Sequence, residues 1–375
     1  MSKKVRVLFV NGGLMDRGGV SSVMMNYYMH IDSSQVQIDF LTHGYGEGIR
    51  DKKIIVSGEK IFTVPPKSKN YFKNTKMIRN ILKKNHYDIV HSHADAGNAH
   101  ILKIAKQCGV PVRISHSHNT DYTINNPVRK KLADMQKKNI SKYATHMFAC
   151  SEEAAMWLYG KSVPIIKNAI EIYDFSYNEA HRSKIRNKYN IGDKFLVGCV
   201  GRLDYQKNQT FLLKVFSDVV KRRDDICLML LGDGILKNEL TEETKRLKIE
   251  DRVIFAGQVS NVNEYYSAFD IMVMPSLFEG LGMVAIEAQS ANLPCLLSDN
   301  IPKTVSINDN VVFLSLSDYQ AWVDKLYIAN PNSQRDNKDC LERIKSAGYD
   351  INLEAKKLEQ FYLKVSENYN ESFDN

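Results

Sequence analysis

Long apolar runs are missing from this chain of 375 residues. The longest, Ile226–Leu231, has the length of a buried strand, whereas a helix that spans a bilayer needs about 20 apolar residues. The N-terminus passes from Met1-Ser-Lys-Lys directly into the apolar run Val5–Val10, which is too short for the apolar region of a secretory signal. The sequence therefore predicts a cytoplasmic protein.

Paired cysteines and the common phosphate-binding glycine motifs are missing too. None of the six cysteines forms a Cys-x-x-Cys, so the pattern favours free thiols in a reducing compartment over disulfides or a zinc site. The chain has neither a Gly-x-Gly-x-x-Gly fingerprint nor a Gly-x-x-x-x-Gly-Lys-Ser/Thr loop. Both the usual dinucleotide fold and the P-loop nucleotide hydrolases are therefore disfavoured.

Acidic residues are scarce in the first half of the chain. Residues 1–170 carry 26 Lys and Arg against 12 Asp and Glu, whereas the rest carry 25 against 31. Such asymmetry predicts an anionic partner for the N-terminal half, such as a membrane surface, a polyphosphate or a nucleic acid. Nucleic acid is the weakest of these, because no recognised binding module accompanies the charge.

Short apolar runs alternate with longer amphipathic stretches along the whole chain, which predicts α/β architecture with parallel sheets covered on both faces. We expect two doubly wound domains with a ligand cleft at the carboxyl ends of their strands. The predicted boundaries are 1–168 for the first domain, 169–189 for a linker and 190–350 for the second domain. The C-terminal stretch 353–375 is expected to pack back on the first domain. The predicted strands are Val5–Val10, Ile38–Leu41, Ile61–Val64, Ile89–Val90, Val112–Ile114, His146–Ala149, Phe195–Val200, Ile226–Leu231, Val253–Phe255, Ile271–Met274, Cys295–Leu297 and Val311–Leu314.

Glycine loops follow the first strand of each predicted domain. Gly18 and Gly19 precede a helical pattern over Ser21–His30, and glycines at such a place let backbone N–H groups approach an anion. A tight turn explains them equally well. In the second domain, Gly201 is followed by Arg202 and Lys207, which at a strand's carboxyl end can both point at a phosphate.

Two glutamates frame the most informative stretch, Asp270–Ala288. A strand is expected to end at Pro275-Ser276 and a helix to begin near Gly282, which places Glu279 in the loop and Glu287 inside the helix. Carboxylates at this place can accept hydrogen bonds from sugar hydroxyls, and the helix N-terminus offers amides to a phosphate.

These motifs together resemble the retaining glycosyltransferases of the GT-B fold, in particular glycosyltransferase family 4. The segments that carry the resemblance are Gly18-Gly19, Gly201-Arg202 with Lys207, Leu230–Gly234, and Glu279 and Glu287 in the Glu-x7-Glu spacing. His116-Ser-His118-Asn119 and Ser276–Gly282 are most similar to the branch that makes capsular and exopolysaccharides.

The resemblance implies a nucleotide-diphosphate sugar, UDP-linked by family expectation, held mainly by the second domain. Arg202 and Lys207 would neutralise the diphosphate, Glu279 would bind hydroxyls of the donor sugar and Glu287 those of the ribose. The remaining donor contacts would come from Gly201, the loop residues Gly280, Leu281 and Gly282, backbone near Val259 and Val262 at the base, and Gly18 and Gly19 of the opposite domain.

Histidines occur in two His-x-His pairs, His91 with His93 and His116 with His118. The resemblance implies that one histidine of the second pair contacts the donor sugar; the alignment leaves His116 or His118 open, with His116 preferred. For the first pair we expect hydrogen bonds that cap strand ends. A zinc hydrolase would need His-x-His-x-Asp-His, and Ala96 breaks that pattern, so no metal is expected.

The reaction implied is retaining transfer by front-face attack, with no cofactor and no metal, since Arg202 and Lys207 would balance the leaving diphosphate. The acceptor, a lipid-linked or oligosaccharide hydroxyl, would sit in the first domain. The basic stretches Lys67–Lys84 and Arg129–Lys142 could meet anionic headgroups at the inner face of the cell membrane, or could simply be solvated helix faces. The alternatives are a GT-B-fold sugar-nucleotide epimerase, a catalytically silent sugar-nucleotide binder, and the zinc hydrolase.

Overall fold

A computed structural model describes residues 4–16, 18–121, 127–330, 335 and 338–371. The chain divides into two compact units, Met1–Ile170 with Asp350–Asn375, and Glu171–Tyr349. No helix of the described residues is long and apolar enough to cross a membrane.

The first unit contains a six-stranded sheet in the order β3-β2-β1-β4-β5-β6, in which all paired strands are parallel. Its strands are β1 (Val5–Asn11), β2 (Val36–His43), β3 (Ile61–Val64), β4 (Ile89–His93), β5 (Val112–Ser117) and β6 (His146–Ala149). Its helices are α1 (Gly19–His30), α2 (Asp51–Val56), α3 (Tyr71–Asn85), α4 (Asn98–Gln107), α5 (Pro127–Tyr143), α6 (Glu152–Tyr159) and α14 (Ile351–Glu371).

Helix α14 joins this unit although it lies at the end of the chain. The amide of Ile351 donates to the carbonyl of Ile170 at 3.0 Å, and Leu358 and Tyr362 are buried in the same core as Phe9 and Val23. The apolar face of the helix is thus removed from water against β1 and α1. The predicted return of the C-terminal stretch is found, with the helix beginning two residues before Leu353.

The second unit contains another all-parallel six-stranded sheet, in the order β12-β11-β10-β7-β8-β9. Its strands are β7 (Phe195–Val200), β8 (Ile226–Leu231), β9 (Val253–Gly257), β10 (Ile271–Met274), β11 (Cys295–Ser298) and β12 (Val311–Leu314). Its helices are α7 (Glu179–Lys188), α8 (Gln209–Val220), α9 (Lys237–Leu247), α10 (Val262–Ala268), α11 (Met283–Ser290), α12 (Tyr319–Tyr327) and α13 (Lys338–Ser346).

Both sheets confirm the predicted fold, because every apolar run named from the sequence lies on a parallel strand. Strands β8 and β10 are buried along their whole length, as expected when helices cover both faces of a sheet.

The stretch 169–189, predicted as a linker, differs from that expectation because it contains α7. Arg182 Nη2 and Arg186 Nη1 lie 2.7 and 3.3 Å from the two carboxylate oxygens of Asp270, and Asp270 is almost fully buried. A buried carboxylate needs such partners. Two of the polar residues that suggested a linker, Arg182 and Arg186, therefore form ion pairs with Asp270. Helix α7 belongs to the second unit.

Candidate active site

The loop after β7 requires glycine at two neighbouring strand ends. Gly201 has φ +150° and Gly232, after β8, has φ +143°. A Cβ atom on Gly232 would lie 2.0 Å from the carbonyl oxygen of Gly201, far inside van der Waals contact. The two strand ends can therefore approach closely only with glycine, and they expose backbone at the edge where parallel sheets bind ligands.

Lys207 and Glu279 form an ion pair at this edge. Lys207 Nζ lies 2.6 Å from Glu279 Oε1, and the two side chains are only 14% and 8% exposed. Gln206 contacts the same loop twice. Its side-chain Nε2 donates to the backbone carbonyl of Phe278 at 3.0 Å, and its backbone carbonyl accepts a hydrogen bond from the amide of Leu277 at 2.8 Å. The sequence motif of the second domain is thus assembled from the ends of β7 and β10.

Arg202 is placed differently from Lys207. Its side chain is 73% exposed and its Nη2 lies 3.0 Å from Asp204 Oδ2. An exposed pair of this kind is worth little and breaks easily. Arg202 is therefore a cation that can turn towards an incoming anion, whereas Lys207 is already fixed by Glu279.

The loop Gly280–Gly282 leads into α11. Gly282 is the N-cap residue with φ +80°, a left-handed conformation that favours glycine. Among the described residues no acceptor bonds to the amides of Leu281 and Gly282. They lie at the positive end of the helix dipole and can bind an anion there.

Glu287 lies inside α11 and is half-buried. Its Oε2 accepts a hydrogen bond from the hydroxyl of Tyr266 at 2.7 Å. Burial raises the pKa of Glu287, and the Tyr266 bond and the charge of Lys207 oppose that rise. The second oxygen of the carboxylate remains an acceptor that hydroxyl groups can use.

Val259 lies in the loop between β9 and α10, and Val262 is the first residue of α10. Both side chains are half-buried. This is the carboxyl end of the last strand of the sheet, next to β8. Their predicted contact with a nucleotide base stays a prediction.

Gly18 and Gly19 begin α1 in the first unit. Gly18 is the N-cap residue in an extended conformation, without a side-chain cap, and a Cβ on either glycine would meet nothing within 4 Å. Neither packing nor positive φ requires glycine here. The tight-turn explanation thus loses its support, while close approach of a ligand remains open.

All four histidines of the two pairs lie buried together in the first unit. The rings of His91 and His93 stack at 4.2 Å between centroids, as do those of His116 and His118. His91 and His116 lie within β4 and β5, His93 ends β4, and His118 directly follows β5.

These histidines bond to one another rather than capping strand ends, which corrects the expectation for His91 and His93. His91 Nε2 lies 3.2 Å from His116 Nδ1, and His93 Nδ1 lies 2.8 Å from His118 Nε2. The reason is register: β4 and β5 are adjacent parallel strands, so alternate residues of both strands share one face.

Burial lowers the pKa of all four histidines, for His118 to about 4. They are therefore neutral near pH 7. His118 Nδ1 lies 3.2 Å from Asn168 Oδ1 and donates to it in the neutral form, so its Nε2 accepts from His93 Nδ1. That assignment leaves a lone pair on His93 Nε2, which is buried and has no partner among the described residues.

A metal is a poor fit to this cluster. Ring nitrogens of His91, His93 and His116 lie within 4.8 Å of one another. However, both nitrogens of His91 are engaged, by the Tyr362 hydroxyl at 2.6 Å and by His116. Counting contacts among the described residues, one ring nitrogen each of His93 and His116 is left without a partner, which is fewer than the three protein ligands of an ordinary zinc site.

Several contributors escaped the sequence reasoning. Gln206 lies within the recognised Arg202–Lys207 segment and could have been found by its position. Tyr266, Asn168 and Tyr362 approach Glu287, His118 and His91 from distant parts of the chain, and no local pattern signals such contacts.

Two α/β units with parallel six-stranded sheets, and loops of this kind after β7 and β10, define the GT-B class. A solved structure of Anabaena HepE in complex with UDP-glucose has the same fold, with a TM-score of 0.76 and 16% identity, covering 97% of this chain and 99% of that chain. The similarity covers both units of this chain.

Family models place the chain further. The model for "Glycosyltransferase Family 4" matches residues 17–172 and that for "Glycosyl transferases group 1" matches 181–338. The Bacillus subtilis protein named as glycosyltransferase EpsF is 34% identical over 361 residues, covering 93% of this chain and 94% of the relative. The chain belongs to the family 4 glycosyltransferases of the GT-B fold.

A more distant relative is the Escherichia coli UDP-Gal:alpha-D-GlcNAc-diphosphoundecaprenol alpha-1,3-galactosyltransferase. It is 24% identical over 302 residues, covering 76% of this chain and 77% of the relative.

Proposed function

We propose that this glycosyltransferase moves a sugar, with retention of configuration, from a UDP-sugar to a hydroxyl of a lipid-linked or glycan acceptor in bacterial polysaccharide synthesis. The observation that carries the proposal is the Lys207–Glu279 ion pair beside the open amides of Leu281 and Gly282. A cation, a carboxylate and unpaired amides at one strand edge are the groups that a diphosphate joined to a sugar requires.

Each part of the donor has a partner in this arrangement. Lys207, Arg202 and the amides of Leu281 and Gly282 take the diphosphate, while Gly201 lets its backbone approach. Glu279 accepts from the sugar hydroxyls and Glu287 from those of the ribose. The backbone near Val259 and Val262 frames the base. UDP as the nucleotide is supported by the HepE complex with UDP-glucose.

The step breaks the bond between the anomeric carbon and the phosphate oxygen and forms one from that carbon to the acceptor oxygen, on the same face. The acceptor proton passes to an oxygen of the leaving diphosphate. Arg202 and Lys207 matter most as charge builds on that group, so a metal is not needed. Of the two histidines that the resemblance implies for the donor sugar, we favour His116, because its Nε2 has no partner among the described residues, whereas both ring nitrogens of His118 are engaged.

Product analysis tests this function. A panel of UDP-sugars is incubated with the full chain and with diphosphate-linked GlcNAc acceptors on a short lipid, and the anomeric configuration is read by NMR. A retained linkage, lost in Glu279→Gln, is expected. An inverted linkage would overturn the retaining step, and a changed sugar nucleotide without transfer would favour an epimerase.

We further propose that α3 touches anionic lipid headgroups. Phe72 is 83% exposed and its neighbour Tyr71 47%, with the exposed lysines Lys69 and Lys73 on either side. Exposed aromatics flanked by cations suit an anionic interface. Lys137 of the second basic stretch is excluded, because its Nζ lies 3.8 Å from the Trp157 ring centroid and donates to the Trp157 carbonyl.

Vesicle sedimentation tests this contact. Phe72→Ser should reduce binding to anionic vesicles several-fold, whereas Lys142→Ser, an exposed lysine on α5, should change it less. Equal binding of Phe72→Ser and the parent protein would contradict the contact.

A further inference from the structure

The hydroxyl of Tyr266 is buried against the carboxylate of Glu287, the residue proposed for the ribose. Tyr266 lies on α10 and is among the largest fully buried side chains of the described residues. Its hydroxyl donates to Oε2 of Glu287, on α11, at 2.7 Å. A buried hydroxyl without a partner is costly, so this contact between two helices fixes the hydroxyl and the carboxylate together.

The ring of Tyr266 is held by aromatic neighbours and by a hydrogen bond to its backbone. Phe175 is tilted against the ring at 5.9 Å between centroids, and Phe269 meets it edge-on at 6.3 Å. Arg335 Nη2 donates to the backbone carbonyl of Tyr266 at 3.0 Å. The hydroxyl is therefore presented to Glu287 from a packed support, as a preorganised site requires.

The two oxygens of the Glu287 carboxylate differ in their contacts. Oε2 accepts from Tyr266, whereas Oε1 forms no hydrogen bond within the part of the chain that the structure describes. Both oxygens of a carboxylate can accept, so a fixed Oε2 leaves Oε1 for a hydroxyl of a ligand. Without Tyr266 the carboxylate could turn about its last torsion, for which the preference is broad, and Oε1 would lose its direction.

The charge of this carboxylate depends on the same contact. Burial raises the pKa of Glu287, and the Tyr266 hydrogen bond and the charge of Lys207 oppose that rise. Burial raises the pKa of Tyr266 well above its usual value, so the hydroxyl keeps its proton and remains the donor. The nearby thiols of Cys199 and Cys295 stay neutral, because burial raises their pKa too. Lys207 is therefore the charged neighbour that acts on the titration of Glu287.

We propose that Tyr266 is a positioning residue of the nucleotide site, which fixes Oε2 of Glu287 and turns Oε1 towards the 2′-hydroxyl of the ribose. This inference rests on the proposed function, because it deepens the assignment of Glu287 to the ribose. It adds a residue from another helix that determines how strongly the site distinguishes a ribonucleotide from a deoxyribonucleotide.

Calorimetry of UDP and 2′-deoxy-UDP with the full chain, from pH 6 to pH 9, tests this role. The ratio of the two Kd values cancels the titration of the phosphates, which both ligands share. Tyr266→Phe keeps the buried ring and removes the hydroxyl, so the preference for UDP should fall by about threefold or more at pH 7.

The pH profile separates positioning from a structural role. A hydrogen bond to a charged group changes an equilibrium by roughly tenfold or more. Its loss should let Glu287 take up a proton at higher pH, so the preference of Tyr266→Phe should disappear about one pH unit above that of the parent protein. A residue that only supports the fold would not move this midpoint.

Tyr265→Phe is the matched control. Tyr265 is equally buried on α10, but its hydroxyl lies 3.1 Å from that of Tyr189. This variant should keep the preference and the pH profile of the parent protein, and circular dichroism checks that each variant folds. An equal loss of preference in Tyr265→Phe would overturn the inference, because packing alone would then explain the effect.

The Glu287→Gln background isolates the pair, since Tyr266→Phe should change the preference no further there. A further fall in that background, or an unchanged preference and pH profile in Tyr266→Phe, would overturn the inference. A parent protein that binds UDP without preferring it to 2′-deoxy-UDP would also overturn the inference but leave the proposed function standing. A folded parent protein that binds no UDP would overturn both.

Discussion

Replacing Lys207 with methionine removes the cation of the proposed diphosphate site and leaves the carboxylate of Glu279 without its ion-pair partner. The two side chains are 14% and 8% exposed. Breaking such a buried pair from one side costs about 3 kcal/mol of folding stability. Loss of a charged contact to the diphosphate costs about 1.5–3 kcal/mol of binding, or roughly 10- to 150-fold in the Kd of UDP.

The double variant Lys207→Met/Glu279→Gln separates these two effects. It removes both charges, so urea unfolding should recover most of the lost stability, whereas calorimetry should still find UDP binding weakened. Lys245→Met is the matched control, because Lys245 pairs with Glu242 at 2.8 Å but both are exposed; it should cost less than about 1 kcal/mol. Wild-type UDP affinity in stably folded Lys207→Met would refute the assignment of Lys207 to the diphosphate.

Three further variants test other parts of the account. Glu287→Gln should abolish a preference for UDP over 2′-deoxy-UDP of about tenfold in calorimetry, because one carboxylate contact to the ribose is lost; a preference that survives would remove Glu287 from the ribose. His118 has a folded pKa of about 4, below its ordinary value of 6.5, so the unfolded chain binds the proton first and stability should be full above pH 6.5 and fall by up to about 3 kcal/mol towards pH 4. His118→Gln should make that slope shallower in urea titrations without abolishing it, because burial also lowers the pKa of His91, His93 and His116; an unchanged slope would count against the burial of a neutral ring at His118. Gly232→Ala should destabilise the chain by roughly 2–4 kcal/mol, since its Cβ would collide with the Gly201 carbonyl, whereas Gly58→Ala, also at positive φ but with open space, should cost about 1 kcal/mol; equal melting temperatures would contradict the close approach of the two strand ends.

Patterns local in sequence predicted the fold well. Apolar runs such as Phe195–Val200 and Ile271–Met274 occupy strands at the predicted places, because burial of a parallel strand on both faces leaves a continuous apolar signature. The helix after Gly282 was also predicted from the sequence. Gly282 is its N-cap residue in the left-handed conformation, which glycine favours.

Contacts between residues far apart in the chain could not be predicted from local sequence patterns. The ion pairs of Arg182 and Arg186 with Asp270 turned a predicted linker into part of the second unit. His91 and His93 were expected to cap strand ends by hydrogen bonds, but the pairing of β4 with β5 brings them within hydrogen-bond distance of His116 and His118 instead. Tyr362 contacts His91 from α14.

The basic stretch of the first half shows the same limit. Its sequence predicted an anionic partner without saying which lysines take part. Only the structure separates Lys67, which lines a cavity of the first unit, from Lys137, which packs on Trp157. Charge counts report the sum of such side chains, whereas function depends on where each one lies.

Calorimetric titration of UDP, GDP, ADP and CMP into the purified chain and its Arg202→Ala/Lys207→Ala variant tests the central claim most directly. The account predicts that UDP binds in preference to the other nucleotides and that the variant loses this binding while remaining folded. Failure of the folded parent protein to bind any of the four, or undiminished UDP binding by the variant, would contradict it.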